Sequence, residues 1–88
     1  MDITDVQSEV RNFIVENFLY GSEDDGLSLD ASLLKRGVID STGVLELVAF
    51  LEERYGISVA DDELVPDNLD SIMKISGFIV QKKGNGSL

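Results

Sequence analysis

Apolar positions recur along this chain at helical spacing in three stretches. The first runs through Val6, Val10, Phe13, Ile14 and Phe18, which fall on one face of a helix. Thr4 with Gln7 reads as a capping box at its start and Gly21 as its C-terminal stop, so the pattern predicts a helix over about residues 4–20. The second stretch holds Val44, Leu47, Val48, Leu51 and Tyr55 and predicts a helix from Ser41 to Tyr55, stopped by Gly56. Leu45, Ala49 and Phe50 lie off that stripe, as in a helix that touches two neighbours or one that leaves apolar surface for contacts. The third, with Leu69, Ile72, Ile75 and Ile79, predicts a last helix over about residues 69–82, capped by Asp67 or Asn68.

The connections differ in character. From Gly21 to Asp40 the chain opens with a turn-like run, Gly21-Ser22-Glu23-Asp24-Asp25-Gly26. Leu27, Leu29, Leu33, Leu34, Val38 and Ile39 then make it too apolar for a free loop. They are expected to pin the loop across the helices, with one short turn around residues 31–35. Ile57-Ser58-Val59 reads as an extended link, and Asp61 to Val65 as one helical turn stopped by Pro66. The expected fold is all-α: three main helices, one short helix and a long first loop, forming one domain over residues 1–83. The polar, glycine-rich residues 84–88 are expected to be a flexible tail.

Composition narrows the chemistry. The 88 residues hold 43% apolar side chains, enough for one modest core but not two. Without cysteine there is neither a disulfide framework nor a cysteine metal site, and without histidine the usual general base and commonest metal ligand are missing. No apolar run reaches membrane-spanning length and no signal pattern opens the chain, so a cytoplasmic protein without a membrane is expected. A net charge of −10 disfavours nucleic acid and suits basic protein surfaces.

The adjacent acids Glu52-Glu53 and Asp61-Asp62-Glu63 read as solvated surface, because neighbouring helical positions diverge. Residues 23–30 do not fit a calcium-loop register, and no metal site is expected. The remaining feature is Gly37-Val38-Ile39-Asp40-Ser41, a loop that ends at the mouth of a helix. Asp40 and Ser41 both suit an N-cap. The same helix end also stabilises a phosphate, so the serine can either cap the helix or carry a phosphodiester. Residues 40–63 hold seven acids and one base, Arg54, while keeping the apolar stripe beneath.

From Gly37 through Asp40-Ser41-Thr42-Gly43-Val44-Leu45-Glu46-Leu47-Val48, Leu51-Glu52-Glu53-Arg54-Tyr55-Gly56 and Asp61-Asp62-Glu63-Leu64, the chain resembles the acyl carrier proteins. The resemblance implies a four-helix bundle with a long first loop, monomeric and not itself an enzyme. It implies a 4′-phosphopantetheine arm on Ser41, next to Asp40, attached from coenzyme A by a magnesium-using phosphopantetheinyl transferase. Acyl or aminoacyl groups would ride the arm as thioesters, loaded by a dedicated ligase and passed among pathway enzymes with basic surfaces. Thr42, Leu45, Glu46, Glu52, Glu53, Asp61 and Asp62 would form the docking surface. The family usually has a large apolar residue, often Leu, after the modified serine. Thr42 and Gly43 stand here instead, which favours a specialised lipid or secondary-metabolite carrier over the general carrier of fatty acid biosynthesis. The competing expectation is an unmodified acidic interaction domain.

Overall fold

Asp2 rather than Thr4 opens the first helix, Ile3–Phe18 (α1). The Asp2 carboxylate accepts from the Thr4 N–H at 2.9 Å, and the Asp2 carbonyl accepts from the Val6 N–H at 3.2 Å. The expected Thr4–Gln7 capping box is therefore corrected, because Thr4 lies inside the helix. An aspartate satisfies a first-turn N–H as well as a threonine does and also places a negative charge at the positive end of the dipole. Val6, Val10 and Ile14 are buried, and Phe13 and Phe18 pack half-buried against the core. This computed structural model describes residues 2–18 and 28–86. The expected helix end near residue 20, the Gly21 stop, the 21–26 turn and Leu27 lie outside them.

The second helix is Ser41–Tyr55 (α2), and Gly56 ends it in the left-handed conformation at φ 67°, a backbone shape that penalises any residue with a Cβ. Leu47, Val48, Leu51 and Tyr55 are buried and Val44 is half-buried. Of the residues off the stripe, Leu45 is 60% exposed, whereas Phe50 stacks on Phe13 of α1 at 4.1 Å between ring centroids. Both readings of the off-stripe residues hold, each for a different side chain.

A single 3-10 turn, Asp61–Glu63, precedes a short helix, Pro66–Leu69 (α3), and a long one, Ile72–Gly86 (α4). Two expectations are corrected here. Pro66 starts a helix rather than merely stopping the turn before it: its ring sets φ for the first helical position, where no N–H is needed. The last helix begins at Ile72 rather than residue 69, and Asp67 and Asn68 do not cap it. The Asp70 carbonyl accepts from the Leu33 N–H at 2.7 Å, so it does not continue the helical ladder. The Lys74 N–H bonds the Ser71 hydroxyl instead, at 3.0 Å. Ser71 is thus the working cap, and a loop distant in sequence creates the break. The helical span then continues past residue 82 to Gly86.

Helix α4 lies along α1 and packs against α2 and α3, burying Ile72, Ile75, Phe78 and Ile79. The first loop is pinned as its leucines required: Leu33 and Ile39 are buried, and Leu29 and Val38 pack against the core. Leu34 remains exposed. The turn falls at residues 33–37. The molecule is all-helical among the described residues, a bundle of three long helices and one short one.

Candidate functional site at the start of helix α2

Asp40, not Ser41, caps α2. Its backbone is extended, and its carboxylate accepts from the Gly43 N–H at 2.7 Å. Its carbonyl accepts from the Val44 N–H at 2.9 Å. Ser41 is the first residue of the helix and is exposed. Its hydroxyl makes no hydrogen bond among the described residues, and neither do the N–H groups of Ser41 and Thr42. The site is therefore a free primary hydroxyl at the positive end of a helix, beside unpaired amide donors. Such an end favours a bound or attached phosphate. The negatively charged Asp40 cap opposes this, but it occupies only the Gly43 N–H.

Ser41 also borders an apolar cleft of about 330 Å³. The first loop contributes Leu33, Leu34 and Ile39, α2 contributes Val44 and Leu45, and the segment from Leu64 to Leu69 closes the other side. Leu34, Leu45 and Val65 stand exposed around it. No single stretch of sequence forms this cleft; the pinned loop brings its walls together.

The small residues after Ser41 play different parts. Thr42 is exposed, as a docking position requires. Gly43 is buried, so unlike Thr42 it offers no surface to a partner. A Cβ at Gly43 would lie 2.9 Å from Phe18 Cε1 and 3.3 Å from both Asp40 Oδ1 and Ile39 Cγ2. The glycine makes room for α1, not for a partner.

The acidic residues divide in the same way. Glu46, Glu53, Asp61 and Asp62 are exposed, and among the described residues their carboxylates have no partner. Glu52 is half-buried, and its carboxylate accepts from the Val59 N–H at 2.9 Å. Docking through Glu52 would compete with this tether of the 57–59 link. Glu63 accepts from the Ala60 N–H at 2.9 Å and from Lys82 Nζ at 2.8 Å; the Lys82 bond first, then that N–H, hold its carboxyl below the usual range. No cluster of acidic groups that could hold a metal occurs among the described residues.

The far end of α2 is clamped. The Tyr55 hydroxyl donates to Glu9 Oε1 and the Arg54 guanidinium to Glu9 Oε2, each at 2.6 Å. Lys83 Nζ donates to the Tyr55 carbonyl at 3.0 Å. Burial and then the Glu9 bond raise Tyr55 well above the usual phenol range, so it stays protonated and donates. The Tyr55 and then the Arg54 bond lower Glu9. Sequence patterning marked Tyr55 only as core and gave Glu9 no role. The signal was there in part, since a buried tyrosine must find a partner for its hydroxyl.

The bundle thus places an exposed serine at the head of an acidic helix. No protein-family model matches the chain. Over 77 residues it is 35% identical to a D-alanyl carrier protein of Streptococcus suis (strain 98HAH33), covering 88% of this chain and 94% of the relative. The D-alanyl carrier protein of strain 05ZYH33 is 34% identical with the same coverage. A probable acyl carrier protein PigG of Serratia sp. (strain ATCC 39006) is 28% identical over 80 residues, 91% of each chain. The chain belongs to the acyl carrier protein family, among its specialised members. It is a carrier on which partner enzymes act rather than an enzyme. No helix among the described residues is long and apolar enough to cross a membrane.

Proposed function

We propose that the protein carries acyl or aminoacyl groups on a 4′-phosphopantetheine arm joined to Ser41. The observation that carries this reading is the exposed Ser41 hydroxyl, left free because Asp40 takes over the capping. The arm's thiol, when present, supplies the thioester linkage. The chain's own part is to present and orient. The start of α2 favours the diester's charge, and the rigid helix fixes where the arm leaves. Glu46, Glu53, Asp61 and Asp62 offer exposed charge to basic surfaces on a phosphopantetheinyl transferase and a loading ligase. Thr42 and Leu45 give those enzymes a polar and an apolar contact beside Ser41. The relatives named D-alanyl carrier protein make a small aminoacyl group a natural cargo.

The test is the intact mass after incubation with coenzyme A, magnesium and a promiscuous phosphopantetheinyl transferase. One phosphopantetheine unit should be added to the parent and none to a folded Ser41→Ala variant. Modification of that variant, or none of the parent by several transferases, would favour an unmodified acidic interaction domain instead.

A further inference from the structure

We infer that Gly43 and Phe18 act together as positioning residues for Ser41: the ring of Phe18 seats in the space left by the missing Cβ and holds the first turn of α2 in one frame. This rests on Ser41 being the attachment site. Glycine in a helix's first turn is a poor choice for the helix alone, because alanine there would form it more readily. Something outside the helix must favour it. Three groups from two parts of the chain crowd the position: Phe18 Cε1 of α1 at 2.9 Å, and, from the end of the loop, Ile39 Cγ2 at 3.3 Å and the capping Asp40 Oδ1 at 3.3 Å.

The half-buried ring is braced on one side. Phe13 meets Phe18 edge-on at 5.9 Å and 73°, and Phe13 is itself stacked on Phe50 at 4.1 Å and 13°. The aromatic chain thus starts on α2 at Gly43, crosses to α1, and returns to α2 at Phe50. These contacts hold helix α2 against α1 at two points besides the Glu9 clamp, one of them at the turn that bears Ser41. An added methyl at residue 43 must open the 2.9 Å contact by roughly half an ångström to reach ordinary carbon–carbon separation. Because the ring is braced, the start of α2 gives way, and the Asp40 cap and Ser41 move with it.

The experiment uses the full chain, coenzyme A, magnesium and a promiscuous transferase, with kcat and KM measured for the carrier. A 1 Å misplacement can cost about a hundredfold in a positioned reaction, so the smaller shift in Gly43→Ala should lower kcat/KM about three- to tenfold, mostly in kcat. Phe18→Leu shortens the side chain by the clashing atom. Adding it to Gly43→Ala should restore much of the loss. Hydrogen exchange of the residue-43 amide gives a second reading that needs no modification. Exchange should be slow in the parent, faster in Gly43→Ala and slow again in the double variant. Unchanged kcat and exchange in Gly43→Ala, or no recovery in the double variant, would overturn the inference. A parent that no transferase modifies would defeat the Ser41 assignment, and amide exchange would still decide whether Phe18 and Gly43 hold the cap.

Discussion

At the scale of single residues, Asp70 joins parts of the chain that are distant in sequence. Its carboxylate accepts from the Ser32 hydroxyl at 2.6 Å and the Leu34 N–H at 3.0 Å, while its carbonyl holds Leu33. Burial pushes its carboxyl up, but those two bonds and the charges of Lys74 and Lys35 outweigh that effect and hold it below the usual range. A lowered folded value means that the contribution to stability is present above the unfolded carboxyl pKa, about 4. It is lost as pH falls through the folded value. Asp70→Asn should therefore cost about 1 kcal/mol at pH 7, and less at an acid pH where the carboxyl is protonated in the folded protein as well. Denaturant unfolding of both proteins at the two pH values checks this. An equal penalty at both would assign the effect to shape rather than charge.

At the scale of elements, α2 is the helix that presents Ser41, held by Phe18 and Phe13 of α1 on one side and by the Glu9–Tyr55–Arg54 clamp at its C-terminal end. Its charge is less uniform than its composition suggests, since Glu52 and Arg54 serve internal bonds. Glu46 and Glu53 remain exposed. Each exposed pair with a basic partner is worth about 0.2–1 kcal/mol, so single reversals should be mild. Glu46→Lys with Glu53→Lys should slow transferase modification clearly and flatten its dependence on salt. Initial rates across a salt series test this, and rates indifferent to both changes would reduce the acidic face to a solubility feature. The boundaries of α2 were legible because both signals are local: Asp40 before Ser41 and Gly56 after Tyr55. The boundary of α4 was not, because a carbonyl taken by a loop leaves no trace in hydrophobic spacing.

At the scale of the whole molecule, a net charge of −10 sets self-repulsion against a small core. Added salt screens this repulsion and also weakens the pairs Arg54–Glu9 and Lys82–Glu63. Those pairs are partly solvent-exposed and so individually weak, whereas the repulsion is spread over the entire surface. The melting temperature should therefore rise between low and moderate salt, as followed by helical circular dichroism. A fall would mean that the ion pairs outweigh the net charge.

The sequence by itself determined the helical class, the faces that form the core, the span of α2 and the serine at its head. Each of these rests on spacing or capping within a few residues, where the physics is local. Only the tertiary structure decided that Asp40 rather than Ser41 caps the helix, which leaves the Ser41 hydroxyl uncommitted. It alone separated the exposed acids from those held in internal bonds, built the cleft beside Ser41 from three separate segments, and buried Gly43 against Phe18. These depend on groups far apart along the chain meeting in space, and no periodicity records such meetings.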